Sequence, residues 1–186
     1  MAPKERKKRL FVIFAAGKDR PGIAAGLTEA LYRTGCNIED STMTLLKGEF
    51  SIILTVTASS KLAFQTLEKE IQKVAERLSL YTSVKKVSHP PFLKNSKGVP
   101  YRITLYGTDH PGIVYGVTKY LAQKKINVID LQTKSIPQKK GTLYSMVIEV
   151  DIPKQRSVKQ VGSDLQSIAK KLRVTLDFDA IDVVTL

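Results

Sequence analysis

The 186 residues, 42% apolar and 25% charged, suffice for one or two globular domains and exclude wholesale disorder. No apolar run approaches the roughly 18–20 residues of a membrane span, the stretch 10–16 is too short for a secretory signal, and a single cysteine, Cys36, excludes an intramolecular disulfide and fits a reducing, cytoplasmic setting. Residues 1–90 hold 15 basic and 9 acidic groups and residues 91–186 hold 15 and 8, so the net charge of +13 is shared by both halves; it attracts anions through a salt-sensitive field.

The chain opens with a basic arm, residues 1–9. Residues 10–16 form a short apolar run, read as a buried strand ending near Gly17. A helix is expected from about Pro21, with Asp19 as a cap, an apolar face of Ile23, Leu27, Ala30 and Leu31, and an end at Gly35. Residues 37–46 and 50–56 alternate as two strands joined by Lys47-Gly48-Glu49 into a hairpin. Phe64, Leu67, Ile71, Val74 and Leu78 step by three and four along a second helix, and residues 83–87 give a last strand.

Pro and Gly then punctuate residues 89–100, read as a linker, and the same order starts again. Residues 101–106 are a strand, and a helix follows from Pro111 with Ile113, Val117 and Leu121 inward. Residues 128–136 and 143–150 form a hairpin with a longer turn. Val158, Val161, Leu165, Ile168 and Leu172 mark another helix, and residues 174–184 an irregular closing strand. At a constant offset of 90, Asp19 matches Asp109, Pro21 matches Pro111, Gly22 matches Gly112, Asn37 matches Asn127 and Asp40 matches Asp130. The chain is therefore two copies of one β-α-β-β-α-β unit. The fold class expected is α+β: two tandem ferredoxin-like units, antiparallel sheets each covered by two helices on one face.

Each Asp-X-Pro-Gly loop joins a strand end to a helix start, where unpaired N–H groups and a partial positive charge suit a carboxylate. Glycine there lets a ligand approach the backbone, and Asp19 or Asp109 could take an ammonium group, so the loop suits a zwitterion. The bland reading is an ordinary N-cap and turn. Gly26 and Gly116 lie inside their helices, where close packing against a neighbour is the expected reason.

The signatures DRPGI…G…NIED and DHPGI…G…NVID resemble those of ACT domains, small regulatory modules that sense amino acids. They place one such domain at 10–88 and a second at 101–186, and the pair is similar to the glycine cleavage system transcriptional repressor group. The resemblance implies an effector, glycine or serine, held where the first loop and helix of one domain face the second strand of its partner. Carried over, that implicates Asp19, Pro21, Gly22, Ile23 and Asn37, and Asp109, Pro111, Gly112, Ile113 and Asn127. His110 joins them, standing where the first copy has Arg20, so the two loops are not equivalent.

No metal-ligand cluster, nucleophile elbow or phosphate loop is found, so neither a metal nor a cofactor nor catalysis is expected. Cys36 reads as a buried, inert thiol. The expectation is an amino-acid-binding regulatory protein, a homodimer that acts on a protein partner such as a transcription factor or metabolic enzyme, away from membranes. The alternatives are a non-catalytic subunit of an amino-acid-metabolism enzyme and a nucleic-acid binder. The last weighs less because no basic run is interleaved with stacking aromatics.

Overall fold

Period-two patterning builds two sheets in the computed structural model, which describes residues 8–87, 98–138 and 141–181. The chain divides into two units, Met1–Leu93 and Lys94–Leu186. The first contains β1 (Lys8–Lys18), α1 (Ile23–Arg33), β2 (Asn37–Leu46), β3 (Glu49–Ser59), α2 (Phe64–Leu78) and β4 (Tyr81–Val87). The second contains β5 (Gly98–Thr108), α3 (Ile113–Gln123), β6 (Asn127–Pro137), β7 (Thr142–Pro153), α4 (Val158–Leu172) and β8 (Val174–Ala180). Both sheets are antiparallel, ordered β2-β3-β1-β4 and β6-β7-β5-β8. This is the ferredoxin-like arrangement, made twice.

Alternation decides which face meets the helices. Phe11, Ile13 and Ala15 of β1 and Ile52, Leu54 and Val56 of β3 are buried against Leu27 and Leu31 of α1 and Leu67 and Ile71 of α2. Ile103, Leu105, Met146, Ile148 and Val150 do the same against Val117, Leu121, Val161 and Leu165. Each fully buried Leu or Ile contributes roughly 1.5–3 kcal/mol, so apolar burial dominates both cores. The two copies even repeat their irregularity: β2 slips register between Ile38 and Asp40, and β6 between Val128 and Asp130.

Several boundaries differ from the sequence expectation. Helices α1 and α3 start at Ile23 and Ile113, not at the prolines, and their N-caps are Gly22 and Gly112 rather than Asp19 and Asp109. Those glycines sit at φ 96° and 101°, which an aspartate cap does not adopt readily. Gly17 does not end β1, which runs on to Lys18. Strand β5 begins at Gly98, inside the segment expected as linker; Pro100 is tolerated at the end of the β8 ladder, where it accepts from Ile181 N at 3.1 Å through its carbonyl and its missing N–H interrupts no continuing ladder. Lys8 and Arg9 of the expected arm belong to β1. Strand β8 ends at Ala180; the rest of the linker and residues 182–184 of the expected closing strand lie outside the described residues.

Gly26 and Gly116 are close-packing glycines, as expected. A Cβ on Gly26 would stand 3.0 Å from Leu78 Cδ1, and one on Gly116 3.1 Å from Leu172 Cδ1. These contacts bring α1 against α2 and α3 against α4. Cys36 is half-buried, accepts a hydrogen bond from Thr34 Oγ1 at 3.4 Å, and has its thiol pushed up by burial, consistent with an inert role.

The faces away from the helices diverge between units. In the first, Phe14 and Ile53 face outward, 41% and 50% exposed. In the second, the corresponding face carries the Arg102–Glu149 pair at 2.9 Å, with Asp177 and Asp179 on β8.

Candidate functional site

In each unit the Asp-X-Pro-Gly loop is fixed at three points. Asp19 N donates to Gly48 O at 2.8 Å and Asp109 N to Thr142 O at 3.1 Å, tying the loop to the hairpin. Gly26 N donates to Gly22 O and Gly116 N to Gly112 O, both at 2.8 Å, closing the first helical turn. The residue before proline reaches the end of the second helix: Arg20 Nη2 donates to Arg77 O at 3.4 Å, and His110 Nε2 lies 2.7 Å from Leu172 O.

Because Gly22 and Gly112 offer no side-chain cap, the N–H groups of the first turn stay available to a ligand. Nothing lies within 4 Å of where either glycine's Cβ would be, so the approach to these amides is open. No acidic side chain occupies the first turn of either helix. A carboxylate fits there by charge and by hydrogen bonding.

The second unit surrounds this helix start with an open cleft of about 590 Å³, lined by Asp109, His110, Pro111, Gly112, Ile113, Val114, Tyr115 and Tyr144. Ser135 Oγ donates to Asp109 Oδ2 at 3.0 Å, which aims that carboxylate. His110 Nδ1 lies 3.0 Å from Pro111 O, so both ring nitrogens face carbonyl acceptors. Both can donate only in the imidazolium form. The hydrogen bond to Pro111, then that to Leu172, hold the imidazole above its ordinary range.

Ser135 pairs with Tyr144, which pairs with Gly107; the same positions of the first unit hold Leu45, Phe50 and Gly17. The first loop therefore faces an apolar pair where the second faces two hydroxyl-bearing residues. Ser135, Tyr144 and Tyr115 escaped the sequence reading. Aligning the two hairpins, with their unequal turns, would have exposed the Leu45/Ser135 and Phe50/Tyr144 exchanges.

Asp19, Pro21, Gly22 and Ile23 come together in one unit, and Asp109, His110, Pro111, Gly112 and Ile113 in the other. Ile23 and Ile113 are 2% exposed and anchor the helix starts in the cores. Asn37 and Asn127 do not join their own loops. Asn37 pairs with Thr57 and so with Leu10, at the far end of β1 from Lys18; Asn127 pairs with Asp151 and so with Pro100. Eight strand residues separate these ends from the loops, about 26 Å at ~3.3 Å per residue. Asn37 instead donates to Glu39 Oε1 at 3.1 Å.

The sequence profile of the ACT domain matches residues 9–85 and 102–179. A UPF0237 protein of Methanocaldococcus jannaschii is 36% identical over 74 residues, 39% of this chain and 82% of that protein. The glycine cleavage system transcriptional repressor of Escherichia coli is 26% identical over 139 residues, 75% of this chain and 72% of the repressor. Among solved structures, an unknown protein from Galdieria sulphuraria superposes with a TM-score of 0.83 at 26% identity, covering 95% of this chain and all of that one. A putative glycine cleavage system transcriptional repressor superposes with a TM-score of 0.72 at 20% identity, covering 95% of this chain and 99% of its own, and so shares the fold.

Proposed function

Since the chain belongs to the ACT domain family, with two domains related to the glycine cleavage repressor, we propose that it senses a small free amino acid and passes that state to a protein partner. The cleft of the second unit carries this reading. Its uncapped helix start suits the carboxylate, Asp109 held by Ser135 suits the ammonium group, and Tyr144 and Tyr115 bound the side chain. Glycine or serine is the effector that the relation to the glycine cleavage repressor suggests. Occupancy stiffens the loop that links the hairpin, α3 and the end of α4, and a partner touching any of these elements reads the change.

The first unit's loop, Asp19, Pro21, Gly22 and Ile23, keeps the backbone geometry but lacks the Ser135 and Tyr144 hydroxyls, so it binds the same effector weakly. Asn37 and Asn127 stand too far from their own loops to help hold it. Exposed edge strands β2 and β6, with Met43 and Leu45 open on β2, favour a homodimer. Isothermal titration of the intact protein with glycine, serine and the other amino acids tests the proposal. Saturable binding of one zwitterion per chain is expected, lost on Asp109→Asn. No heat from any amino acid at millimolar concentration would refute it.

A further inference from the structure

The excess positive charge is even along the sequence but uneven in space. At one end of the second unit's helical layer, Lys124 and Lys125 follow α3 beside Lys154 and Arg156 of the turn into α4 and Lys159 of its first turn. Arg156 Nε donates to Lys124 O at 3.2 Å, which joins the two groups. At the other end, Lys170, Lys171 and Arg173 crowd the C-terminus of α4. Asp164 is the only acidic side chain on α3 and α4, and it is already engaged with Lys124 Nζ at 3.5 Å and Tyr120 Oη at 2.9 Å. The opposite face of the same unit is net acidic: Asp130, Glu149, Asp177 and Asp179 outnumber Arg102 and Lys134 there.

Solubility alone does not call for this segregation. Like charges gathered on one layer repel one another and lower stability, whereas mixing the signs would hydrate the surface equally well. The first unit does mix them: Arg33 pairs with Glu29 at 2.6 Å and Lys73 with Glu70 on its helices.

We propose that the α3–α4 face of the second unit docks on duplex nucleic acid, through its phosphates and without base selection. The dimensions agree. Helix α4 has 15 residues, about 22 Å of helix at ~1.5 Å per residue, along which a duplex presents about 13 phosphates at one per ~1.7 Å. Lys159 and Lys170 are eleven residues apart, about 16 Å by the same rise, enough to straddle a major groove about 12 Å wide. Between them Ser163, Gln166 and Ser167 are small or uncharged. A lipid surface is disfavoured because Tyr115 is the only large apolar side chain exposed on α3 or α4. The acidic sheet face would turn away from the polyanion and fix the orientation.

Fluorescence anisotropy of a labelled duplex of about 20 bp, titrated with the intact protein at about 50–200 mM salt, tests this. Six phosphate contacts give a log–log salt slope of about −5 at ~0.9 per contact. The triple variant Lys154→Glu, Arg156→Glu, Lys159→Glu is expected to lower the slope by about 3 and weaken binding at least tenfold, with an unchanged circular dichroism spectrum. The matched variant Lys61→Glu, Lys85→Glu, Lys86→Glu in the first unit carries the same charge change and is expected to weaken binding much less. Absent binding at the lowest salt, or equal losses in the two variants, would overturn the proposal. So would displacement of the duplex by polyglutamate as readily as by unlabelled duplex, which assigns the face to an acidic protein. Co-sedimentation with phosphatidylserine vesicles in the absence of duplex binding would overturn it in favour of a membrane. No amino acid is present in these assays, so failure here is separate from failure of the sensing proposal.

Discussion

Replacing Gly112 and Gly22 by alanine, separately, isolates ligand binding from folding because the two residues share one backbone geometry. Their φ values are 101° and 96°, and no atom lies within 4 Å of the added Cβ in either. The cost is therefore conformational. Holding an L-residue at positive φ costs about 1–2 kcal/mol, and the stiffer unfolded chain returns about 0.4–1 kcal/mol. A net loss of about 1 kcal/mol is expected for each variant, a fall of about 4–8 °C in the melting temperature of an 80–90-residue unit. Binding should separate them. In Gly112→Ala the methyl group stands over the amides that receive the carboxylate, and affinity for the effector should drop at least tenfold. In Gly22→Ala it should be unchanged. Differential scanning calorimetry and titration calorimetry on both variants give the two readouts. Equal affinity in Gly112→Ala and wild type, or loss of affinity in Gly22→Ala, would refute the assignment of the effector to the second loop.

Ser135→Ala removes the donor that aims Asp109 and is expected to weaken effector binding severalfold without a large change in melting temperature, as measured by titration calorimetry. His110 is held above its ordinary value of 6.5, so its tether to Leu172 and Pro111 is complete below that value and weakens as pH rises through the raised one. Effector affinity should fall over that window, and His110→Arg, which copies Arg20, should flatten the profile; a pH-independent wild-type affinity would contradict this. Gly26→Ala is expected to be more destabilising than Gly116→Ala by about 1 kcal/mol in urea melts. The first meets Leu78, Arg77 and the stiff Val74 within 3.3 Å, the second only Leu172.

Fold and repeat were legible because the signals that carry them are local. Period-two runs in β3 and β7 and period-3.6 runs in α2 and α4 each name one face of one element, and the structure buries those faces. Sequence alone misplaces the helix starts because Pro21 and Asp19 carry strong start signals, while the left-handed Gly22 that governs the geometry looks like any turn glycine. Sequence alone overextends the linker because Pro100 reads as a breaker, and whether a proline fits a strand depends on whether a neighbouring strand needs its N–H. The site was half legible. The Asp-X-Pro-Gly corner is contiguous in sequence and was found; Ser135 and Tyr144 reach it from the hairpin only through strand register, which no single-strand pattern reveals. The resemblance groups Asn37 with Asp19 across partner domains, and within its own unit an eleven-residue strand places the two at opposite ends of the sheet.

The copies differ in side chains throughout both units, on the faces away from the helices as well as at the proposed site. The backbone devices repeat: the left-handed N-cap, the hairpin tie and the register slip occur in both units. What changes is side-chain chemistry, with Leu45, Phe50 and Arg20 facing one loop and Ser135, Tyr144 and His110 facing the other. Three of these exchanges meet one corner, and Lys170, Lys171 and Arg173 gather at the end of α4, where Leu172 O receives His110 from the corner itself. Lys171 and Arg173 flank that carbonyl. A ligand that moves the loop therefore moves the end of α4 that carries the charge. If both proposals hold, the effector and the duplex must shift each other's affinity by the same factor. Measuring duplex affinity with and without saturating effector, then effector affinity with and without saturating duplex, gives two ratios, and unequal ratios would break the argument that α4 links the two surfaces.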